Sequence, residues 1–311
     1  MAVTDTPQDI PVLVFCGPTG SGKTSLALSL VDHYPLEIIS ADSRQIYRQM
    51  DIGTAKATIA EQALAPHHMI DLIDPDQEFS VAEFVDRARP LIQEITARGN
   101  LPCVVGGTGL YIRALLGGLA DLPTGDPALR TELHQREESG GAGTLYRELK
   151  QVDPVAADEI HPNNIVRIVR ALEVYILSGR RMSELKSEHR FSQQPYRVLK
   201  FAPTFSRDEL YRRINRRTGQ MIESGFVDEV RNLVDRYSFS LKALQTLGYR
   251  EVLHFLKNEL TAAEMVADIQ KHTRQYAKRQ LTWFSKESDI IWVDSSNKSG
   301  KVIQSIDNFL L

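Results

Sequence analysis

Eight residues near the start of the chain have the types and the spacing that bind phosphate groups. In the order G-x-x-x-x-G-K-[ST] they are Gly17, Pro18, Thr19, Gly20, Ser21, Gly22, Lys23 and Thr24. The backbone N–H groups of such a loop converge at a helix amino terminus, where the helix dipole adds partial positive charge. The Lys23 ammonium adds a full charge, and the Thr24 hydroxyl can coordinate Mg²⁺. The pattern predicts that these residues bind a diphosphate or a triphosphate.

The loop alone does not identify the reaction, because phosphoryl transfer also needs a strand-end carboxylate that holds Mg²⁺. The apolar run at 102–105 ends in glycines and Thr108, without an acid. The apolar run at 37–41 ends in Asp42, which is therefore a candidate Mg²⁺ ligand or general base. The side chains that follow Asp42 suit a heterocyclic base as well as they suit a metal: Ser43, Arg44 and Gln45.

The composition is that of an ordinary globular protein, with 311 residues, 42% of them hydrophobic and 25% charged. This length is enough for one large domain or two smaller ones. Neither a signal peptide nor an apolar run long enough for a membrane span is recognised. Cys16 and Cys103 lie in apolar runs, which favours buried thiols in a reducing compartment. We therefore expect a cytoplasmic protein that does not enter the membrane.

The charge is unevenly distributed along the chain, although the net charge is only −3. Residues 161–220 contain 13 lysine and arginine residues against 5 acidic ones, whereas residues 1–160 contain 12 against 23. A basic segment in an acidic protein is either a solvated surface or a phosphate-binding face. The sequence leaves both interpretations open.

Strands and helices alternate in the first part of the chain. Apolar runs predict strands over residues 12–16, 37–41, 102–105, 197–202 and 290–293. Helices are predicted over residues 24–33, 80–97 and 206–224, and again from residue 261, with capping residues at Ser80, Ser206 and Thr261. This alternation predicts an α/β fold with a parallel sheet. Residues 1–120 and 196–311 would form the core, and residues 121–195 a helical insertion domain.

The motifs together resemble the bacterial tRNA dimethylallyltransferase family, also called tRNA isopentenyltransferases. The resemblance extends from about residue 12 to 285, in the order that the family has. The segments that carry it are GPTGSGKT at 17–24, ADSRQIY at 41–47, DIGTAK at 51–56, HHMID at 67–71, GGTGLY at 106–111, HPNNIVRIVRALEV at 161–174, RRINRRTGQMIESGF at 212–226, LGYR at 247–250 and RQYAKRQLTWF at 274–284.

The resemblance implies a P-loop NTPase-like core and a specific reaction. The dimethylallyl group of dimethylallyl diphosphate would move to the N6 amine of the adenosine 3′ of the anticodon. The acceptors would be tRNAs that read codons beginning with U, and diphosphate would be released. The loop would then hold a diphosphate rather than ATP, with Mg²⁺ as cofactor. The resemblance also implies a cytoplasmic enzyme that binds the anticodon stem-loop, and we expect a monomer.

The family positions suggest roles for particular residues. Asp42 would be the general base, with a Mg²⁺ ligand or a turn-capping residue as the alternatives. Thr108 and Arg217 would stabilise the departing diphosphate, and Thr24 would bind Mg²⁺. The residues expected to contact tRNA are Asp42, Ser43, Arg44, Gln45, Thr108, Arg130, Val166, Arg167, Ile168, Val169, Arg170, Gly248, Tyr249 and Arg250.

Two of these positions depart from the family pattern. Arg44 stands where many relatives have an apolar residue, and Ile165-Val166 stands where a glutamine is common. Three other functions fit part of the sequence. A small-molecule kinase would use ATP in the same loop, an adenylate isopentenyltransferase would modify a free nucleotide, and an RNA-binding module would have no catalytic site.

Overall fold

The computed structural model of the chain describes residues 9–189, 191, 193–294 and 300–311. Within these residues the strands are β1 (Pro11–Cys16), β2 (Leu36–Ser40), β3 (His67–His68), β4 (Leu101–Gly106), β5 (Arg197–Thr204) and β6 (Ile290–Asp294). They form one sheet in the order β3-β2-β4-β1-β5-β6, and every neighbouring pair is parallel. The predicted α/β class with a parallel sheet is confirmed. The short strand β3 adds to the predicted strands.

The three strands that carry the site are buried along nearly their whole length. Burial covers β1 after its first residue and every residue of β2 and β4. Strands that are covered on both faces have continuous apolar runs rather than alternating patterns, as this sequence has. In register, Cys16 of β1 lies opposite Gly106 of β4, and Ser40 of β2 lies opposite Val105. The carboxyl ends of these strands therefore lie side by side.

Helices occupy much of the remaining described chain. They are α1 (Lys23–Leu28), α2 (Ile59–Leu64), α3 (Val81–Ala97), α4 (Gly109–Gly117), α5 (Pro127–Gly140), α6 (Thr144–Val152), α7 (Pro154–Glu159), α8 (Ile165–Ser178), α9 (Met182–His189), α10 (Arg207–Glu223), α11 (Phe226–Arg236), α12 (Tyr249–Leu256), α13 (Ala262–Phe284) and α14 (Gly300–Leu310). A 3₁₀ helix at Lys242–Gln245 precedes α12.

Side-chain caps begin the three helices for which the sequence predicted a capping residue. Ser80, Ser206 and Thr261 each accept a hydrogen bond from the backbone N–H three residues later, at α3, α10 and α13. The predicted helix over 24–33 is shorter in the structure, since α1 ends at Leu28 and turns follow. Helix α14 was not predicted.

The chain divides into two compact units. Residues 117–193 form one unit, built from α5 to α9 around an apolar core that includes Leu133, Leu149 and Leu172. Residues 1–116 and 194–311 form the other unit, which contains the sheet.

The apolar cores in the described part of the unit that contains the sheet include the following two. One packs α1 and α14 against the sheet, through residues such as Phe15, Leu30 and Ile306. The other lies among α11, α12 and α13 and includes Phe226 and Tyr249, whose rings meet edge to face with centroids 5.0 Å apart. This second core supports one wall of the candidate site.

Candidate active site

The phosphate-type loop connects β1 to α1 and has the backbone geometry that its glycines permit. Gly20 and Gly22 have φ of 80° and 75°, in the left-handed region that other residues rarely adopt. Gly22 caps α1 without a side-chain hydrogen bond, so the first N–H groups of the helix stay open to a ligand. Arg213 of α10 donates through Nε to the Gly20 carbonyl oxygen at 2.9 Å. The loop is therefore held from outside as well as by its own turns.

A cavity of about 440 Å³ lies at the carboxyl ends of β1, β2 and β4. The predicted site residues that line it are Thr19, Lys23, Thr24, Asp42, Ser43, Arg44, Gln45, Arg217, Gly248 and Tyr249. Within residues 1–116 and 194–311, the predicted site residues outside its lining are Gly17, Pro18, Gly20, Ser21, Gly22, Thr108 and Arg250. The structure thus brings together the loop, the end of β2, α10 and the start of α12, which are far apart in sequence.

The turns after β2 and β4 are joined by hydrogen bonds. Asp42 Oδ1 accepts from the Arg44 N–H at 2.8 Å, which fixes the carboxylate at the strand end. Thr108 Oγ1 accepts from the Ser43 N–H at 3.1 Å, and the Thr108 N–H donates to Ala41 O at 3.2 Å. Thr108 therefore lies beside Asp42 and Ser43, although it does not line the cavity.

The Gln45 amide is held by the protein itself. Its Oε1 accepts from the Ser40 hydroxyl at 2.8 Å, and its Nε2 donates to the carbonyl oxygens of Thr54 and Ala55 at 3.3 and 3.0 Å. Both amide protons are thereby used. Any further hydrogen bond to a ligand would have to be accepted by Oε1.

Lys23 and Arg217 are two of the three cationic side chains in the cavity lining, and Arg44 is the third. Burial lowers the pKa of Lys23 to about 8, against the opposing effect of Asp42. Lys23 Nζ donates to the Pro18 carbonyl oxygen at 2.8 Å. Burial also lowers the pKa of Arg217, again opposed by Asp42. Arg217 forms no hydrogen bond or ion pair with any described residue, so its guanidinium can bind an anion in the cavity.

Residues 51–56 form a second loop, which belongs to the family resemblance but to which no role was assigned from the sequence. Lys56 is buried and donates to Tyr47 O at 2.8 Å and to Asp51 and Asp71 Oδ1 at 2.5 Å each. Glu229 of α11 accepts three backbone N–H groups of this loop, at residues 51–53. These contacts hold Gly53, Thr54 and Ala55 at the cavity wall.

Part of the cavity wall is apolar. Its side chains come from α10 to α13 and are Ile214, Met221, Phe226, Tyr249, Ile269 and Tyr276. Gly53 packs so closely against it that a Cβ atom would lie 2.2 Å from Phe226 and 2.5 Å from Tyr249. Burial raises the pKa of Tyr276 to about 12, and Asp42 adds to the effect, so this hydroxyl stays protonated. The cavity therefore combines an anion-binding side with an apolar side.

The predicted RNA contacts of α8 fall into two groups within their unit. Val166 and Arg167 are exposed, whereas Ile168 and Val169 are buried in the apolar core. The predicted contact is therefore corrected for the side chains of Ile168 and Val169, because α8 turns that face inward. The helical spacing in the sequence could have predicted which residues of α8 are buried, since residues three or four apart share a face.

Arg130 and Arg170 are paired with one buried carboxylate. Glu173 Oε1 accepts from Arg130 Nε at 2.8 Å, and Glu173 Oε2 accepts from Arg170 Nη1. Hydrogen bonds from both arginines help to lower the pKa of Glu173 against the effect of its burial. Part of each guanidinium remains accessible, with side-chain exposures of 42% and 30%. The two arginines thus have a structural role in addition to any contact with a ligand.

The motif at 247–250 is held by a buried carboxylate of α12. Glu251 accepts hydrogen bonds from the Gly248 N–H, from Arg250 Nη2 and from His272 Nδ1 of α13, at 2.8, 2.9 and 2.8 Å. Gly248 and Tyr249 consequently face the cavity, while Arg250 lies outside its lining.

The parallel sheet, the glycine-rich loop and the cavity at the strand ends define the class of the protein. It is an α/β protein with a P-loop NTPase-like core, as the sequence predicted. The IPP transferase family model matches residues 45–287, and the chain belongs to that family. The resemblance found in the motifs is confirmed.

Relatives match the chain over nearly its whole length. It is 52% identical to the tRNA dimethylallyltransferase 1 of Syntrophotalea carbinolica over 96% of both chains. It is 46% identical to the tRNA dimethylallyltransferase of Geobacter metallireducens, over 96% of this chain and 97% of that protein.

Two solved structures are also similar to this chain over nearly its whole length. The tRNA isopentenylpyrophosphate transferase of Bacillus halodurans has a TM-score of 0.70 and 41% identity, covering 96% of this chain and 95% of that one. A eukaryotic dimethylallyltransferase acting on tRNA has a TM-score of 0.84 and 28% identity, covering 97% and 79%. In the described part of this chain, every helix is too short or too polar to cross a membrane.

Proposed function

We propose that this chain is a tRNA dimethylallyltransferase. It transfers the dimethylallyl group of dimethylallyl diphosphate to the N6 amine of the adenosine 3′ of the anticodon, in tRNAs that read codons beginning with U. The products are N6-isopentenyladenosine and diphosphate. The observation that carries this proposal is one cavity in which Lys23, the unpaired Arg217 and Asp42 face an apolar wall.

The anion-binding side of the cavity suits the leaving group. The allylic C–O bond breaks, and its electron pair leaves with the diphosphate. Lys23, Arg217 and the loop N–H groups stabilise the negative charge that develops there, and they are already in position before the reaction. The Arg217 guanidinium can grip two phosphate oxygens at once.

The apolar side of the cavity suits the five-carbon group. Phe226, Tyr249, Tyr276, Ile269 and Met221 provide a surface without charged side chains. Positive charge develops on the allylic carbon as the C–O bond stretches, and aromatic faces attract positive charge. The same surface keeps water away from the allylic carbon, which favours transfer to the amine over hydrolysis.

Asp42 is proposed as the general base. A new bond forms between N6 and the allylic carbon, and the amine then loses a proton to the Asp42 carboxylate. Oδ1 accepts from the Arg44 N–H, which orients the carboxylate toward the cavity. Ser43, Thr108 and Oε1 of Gln45 lie beside it and are proposed to hold the adenine.

A divalent cation, proposed to be Mg²⁺, fits the oxygen atoms at the loop. The described chain contains no group of three or more His, Cys, Asp or Glu side chains that could hold a metal. Mg²⁺ commonly uses one or two protein oxygens together with substrate phosphates, and the Thr24 hydroxyl, with or without Asp42, meets that need. When bound, the ion would neutralise charge on the diphosphate.

The unit of residues 117–193 is proposed to bind the anticodon stem-loop. Arg167 is exposed on α8, and Arg130 and Arg170 are held in place by Glu173. Such contacts position RNA through its phosphates and depend strongly on salt. Val166, Arg250 and the backbone of Gly248 and Tyr249 are proposed as further contacts. The enzyme is proposed to act in the cytoplasm as a monomer.

Transfer of label from dimethylallyl diphosphate tests the proposed function. With Mg²⁺ present, the acceptors are an unmodified tRNA whose anticodon is followed by adenosines and the same tRNA with that adenosine replaced by guanosine, and AMP and ATP are tested in parallel reactions. We expect label in the first tRNA alone. Label in AMP would assign the chain to free-nucleotide transferases, and consumption of ATP without transfer of label would indicate a kinase.

A further inference from the structure

One glutamine joins the phosphate-type loop to the turn after β4. Gln280 of α13 is buried, with 7% of its surface exposed, and lines the cavity. Its Oε1 accepts from the Thr19 N–H at 2.8 Å, and its Nε2 donates to the Gly107 carbonyl oxygen at 2.9 Å. A single side-chain amide therefore bridges two backbone segments at the carboxyl ends of β1 and β4.

The bridge requires an amide. One atom must accept from a backbone N–H while the other donates to a backbone carbonyl, and a carboxylate or an apolar side chain cannot do both. The space is also tight, because a Cβ atom at Gly107 would lie 2.3 Å from Gln280 Nε2. The glycine therefore permits the close approach of the amide. Loss of the bridge would leave the Thr19 N–H and the Gly107 carbonyl without this partner.

The contacts of Gln280 extend to Asp42, the proposed general base. Gly107 precedes Thr108, whose hydroxyl accepts from the Ser43 N–H and whose N–H donates to Ala41 O. Ser43 follows Asp42 directly. A chain of contacts thus runs from Thr19 through Gln280 and residues 107–108 to the turn that carries Asp42. A shift at Gln280 would change the distance between the loop and the carboxylate.

We propose that Gln280 is a positioning residue. It fixes the position of the phosphate-type loop relative to the turns that carry Thr108 and Asp42. The inference rests on the proposed function, because the two groups being aligned are the diphosphate site and the base. Gln280 acts through Thr19 and Gly107 and needs no contact with either substrate. Small displacements of this kind affect the rate strongly, because reacting atoms must be held within a narrow range of geometry.

The first test compares Gln280→Leu and Gln280→Glu with Gln275→Leu and Gln275→Glu. Gln275 lies on the same helix and is exposed. We expect both Gln280 variants to lower kcat/KM for dimethylallyl diphosphate about 10- to 100-fold, the effect of losing buried hydrogen bonds at a site of charge development. The KM for tRNA should stay within about three-fold. The Gln275 variants should match the wild type.

The dependence of activity on pH shows whether Gln280 acts through its two hydrogen bonds or only by filling space. At neutral pH the new carboxylate of Gln280→Glu accepts but does not donate, so it repels the Gly107 carbonyl oxygen. Once protonated, it has one donor and one acceptor and restores both contacts. We expect the activity of Gln280→Glu relative to wild type to rise as the pH falls, while the relative activity of Gln280→Leu stays constant. Parallel profiles for the two variants would overturn the proposal.

Binding of Mg²⁺-pyrophosphate, measured by calorimetry, keeps this test independent of the transfer reaction. We expect Gln280→Leu to weaken that binding about ten-fold, with Gln275→Leu unchanged. If the wild type transfers no label, the proposed function fails, yet this weakening would still support the bridge. Unchanged binding and unchanged kcat/KM in Gln280→Leu would reject the bridge in a working transferase.

A double-mutant cycle covers the case in which Gln280→Leu does not fold. Gly107→Ala crowds the amide, so its cost to kcat/KM should largely disappear in a Gln280→Ala background, where the amide is absent. If the losses of kcat/KM in Gly107→Ala and Gln280→Ala add up in the double variant, the effect of Gly107→Ala does not act through Gln280, and the proposal is contradicted. Circular dichroism at each pH establishes that the variants compared are folded.

Discussion

The two ends of β2 hold carboxylates in opposite circumstances. Glu37, near the amino end, accepts from Arg98 Nη2 at 2.7 Å, from Asn100 Nδ2 at 2.6 Å and from His68 Nε2 at 2.7 Å. The Arg98 hydrogen bonds, with those of Asn100 and His68, lower the pKa of Glu37 to about 2. Asp42, beyond the carboxyl end, accepts only from the neighbouring Arg44 N–H among the described residues. It faces Lys23 and Arg217, which are not paired with it.

The difference shows where the fold is stabilised and where it is left open to a ligand. At Glu37 every nearby charge is used within the protein, which suits a structural site. At Asp42 the cations are partly buried and without carboxylate partners, which costs stability and leaves them available for an anion. Substitutions at the two ends should therefore have opposite effects on stability and on transfer.

Asp42→Asn should have the largest effect of the changes considered. Removing a general base lowers kcat by about 10²- to 10⁴-fold, while the isosteric amide preserves the shape of the site. The melting temperature should stay near that of the wild type, because Asp42 contributes little to packing. Single-turnover transfer to tRNA measures the loss. Full activity in Asp42→Asn would remove Asp42 from the base role.

Arg217→Ala should lower kcat/KM for dimethylallyl diphosphate by about 10²-fold, because it removes a donor from the site of the departing diphosphate. Arg216→Ala is the matched control, since Arg216 is exposed on the same helix. Steady-state kinetics with tRNA in excess measures both variants. Equal losses of kcat/KM in the two variants would mean that the overall positive charge of α10 affects the reaction, and not the position of Arg217.

Glu37→Gln should act on stability and leave transfer nearly unchanged. Loss of the charge-assisted hydrogen bonds to Arg98 is expected to lower the free energy of unfolding by about 2 kcal/mol. Because the pKa of Glu37 is lowered to about 2 from 4.5, its stabilisation is complete above pH 4.5 and is lost as the pH falls toward 2. Urea unfolding should show the two proteins converging over that range. A constant difference would exclude Glu37 as the titrating group.

The smallest expected effect is a pH dependence of diphosphate binding. Because the pKa of Lys23 is lowered to about 8, the free protein loses this charge as the pH rises through 8, and a polyanion then binds less well. The KM for dimethylallyl diphosphate should rise several-fold between pH 7 and 9, as a loss of one charged contact predicts. Lys23→Arg, which stays charged, should show a flatter profile. A rise of equal size in Lys23→Arg would assign the titration to another group.

Local patterns were sufficient to predict the sheet and much of the site. Continuous apolar runs predicted β1, β2 and β4, and the loop motif with Asp42 at a strand end located the anion-binding side. The bridge made by Gln280 could not be predicted, because Thr19 and Gln280 are 261 residues apart and no local spacing connects them. The apolar wall likewise comes from four helices that pack only in three dimensions.

Unit 117–193 shows a contact that sequence spacing could have predicted. Arg170 and Glu173 lie three residues apart on α8, a spacing typical of helix ion pairs. The burial of Ile168 and Val169 follows from the same helical period. Arg130 joins this cluster over 43 residues, which spacing alone does not predict.

The identity of the ligand in the loop is the most direct test of the proposed function. Calorimetry with Mg²⁺ would compare a non-reactive thio-analogue of dimethylallyl diphosphate with ATP, for the wild type and for Arg217→Ala. We predict that the analogue binds more tightly than ATP, and that Arg217→Ala removes most of that preference. Tighter binding of ATP, unaffected by Arg217→Ala, would contradict a loop built for an allylic diphosphate.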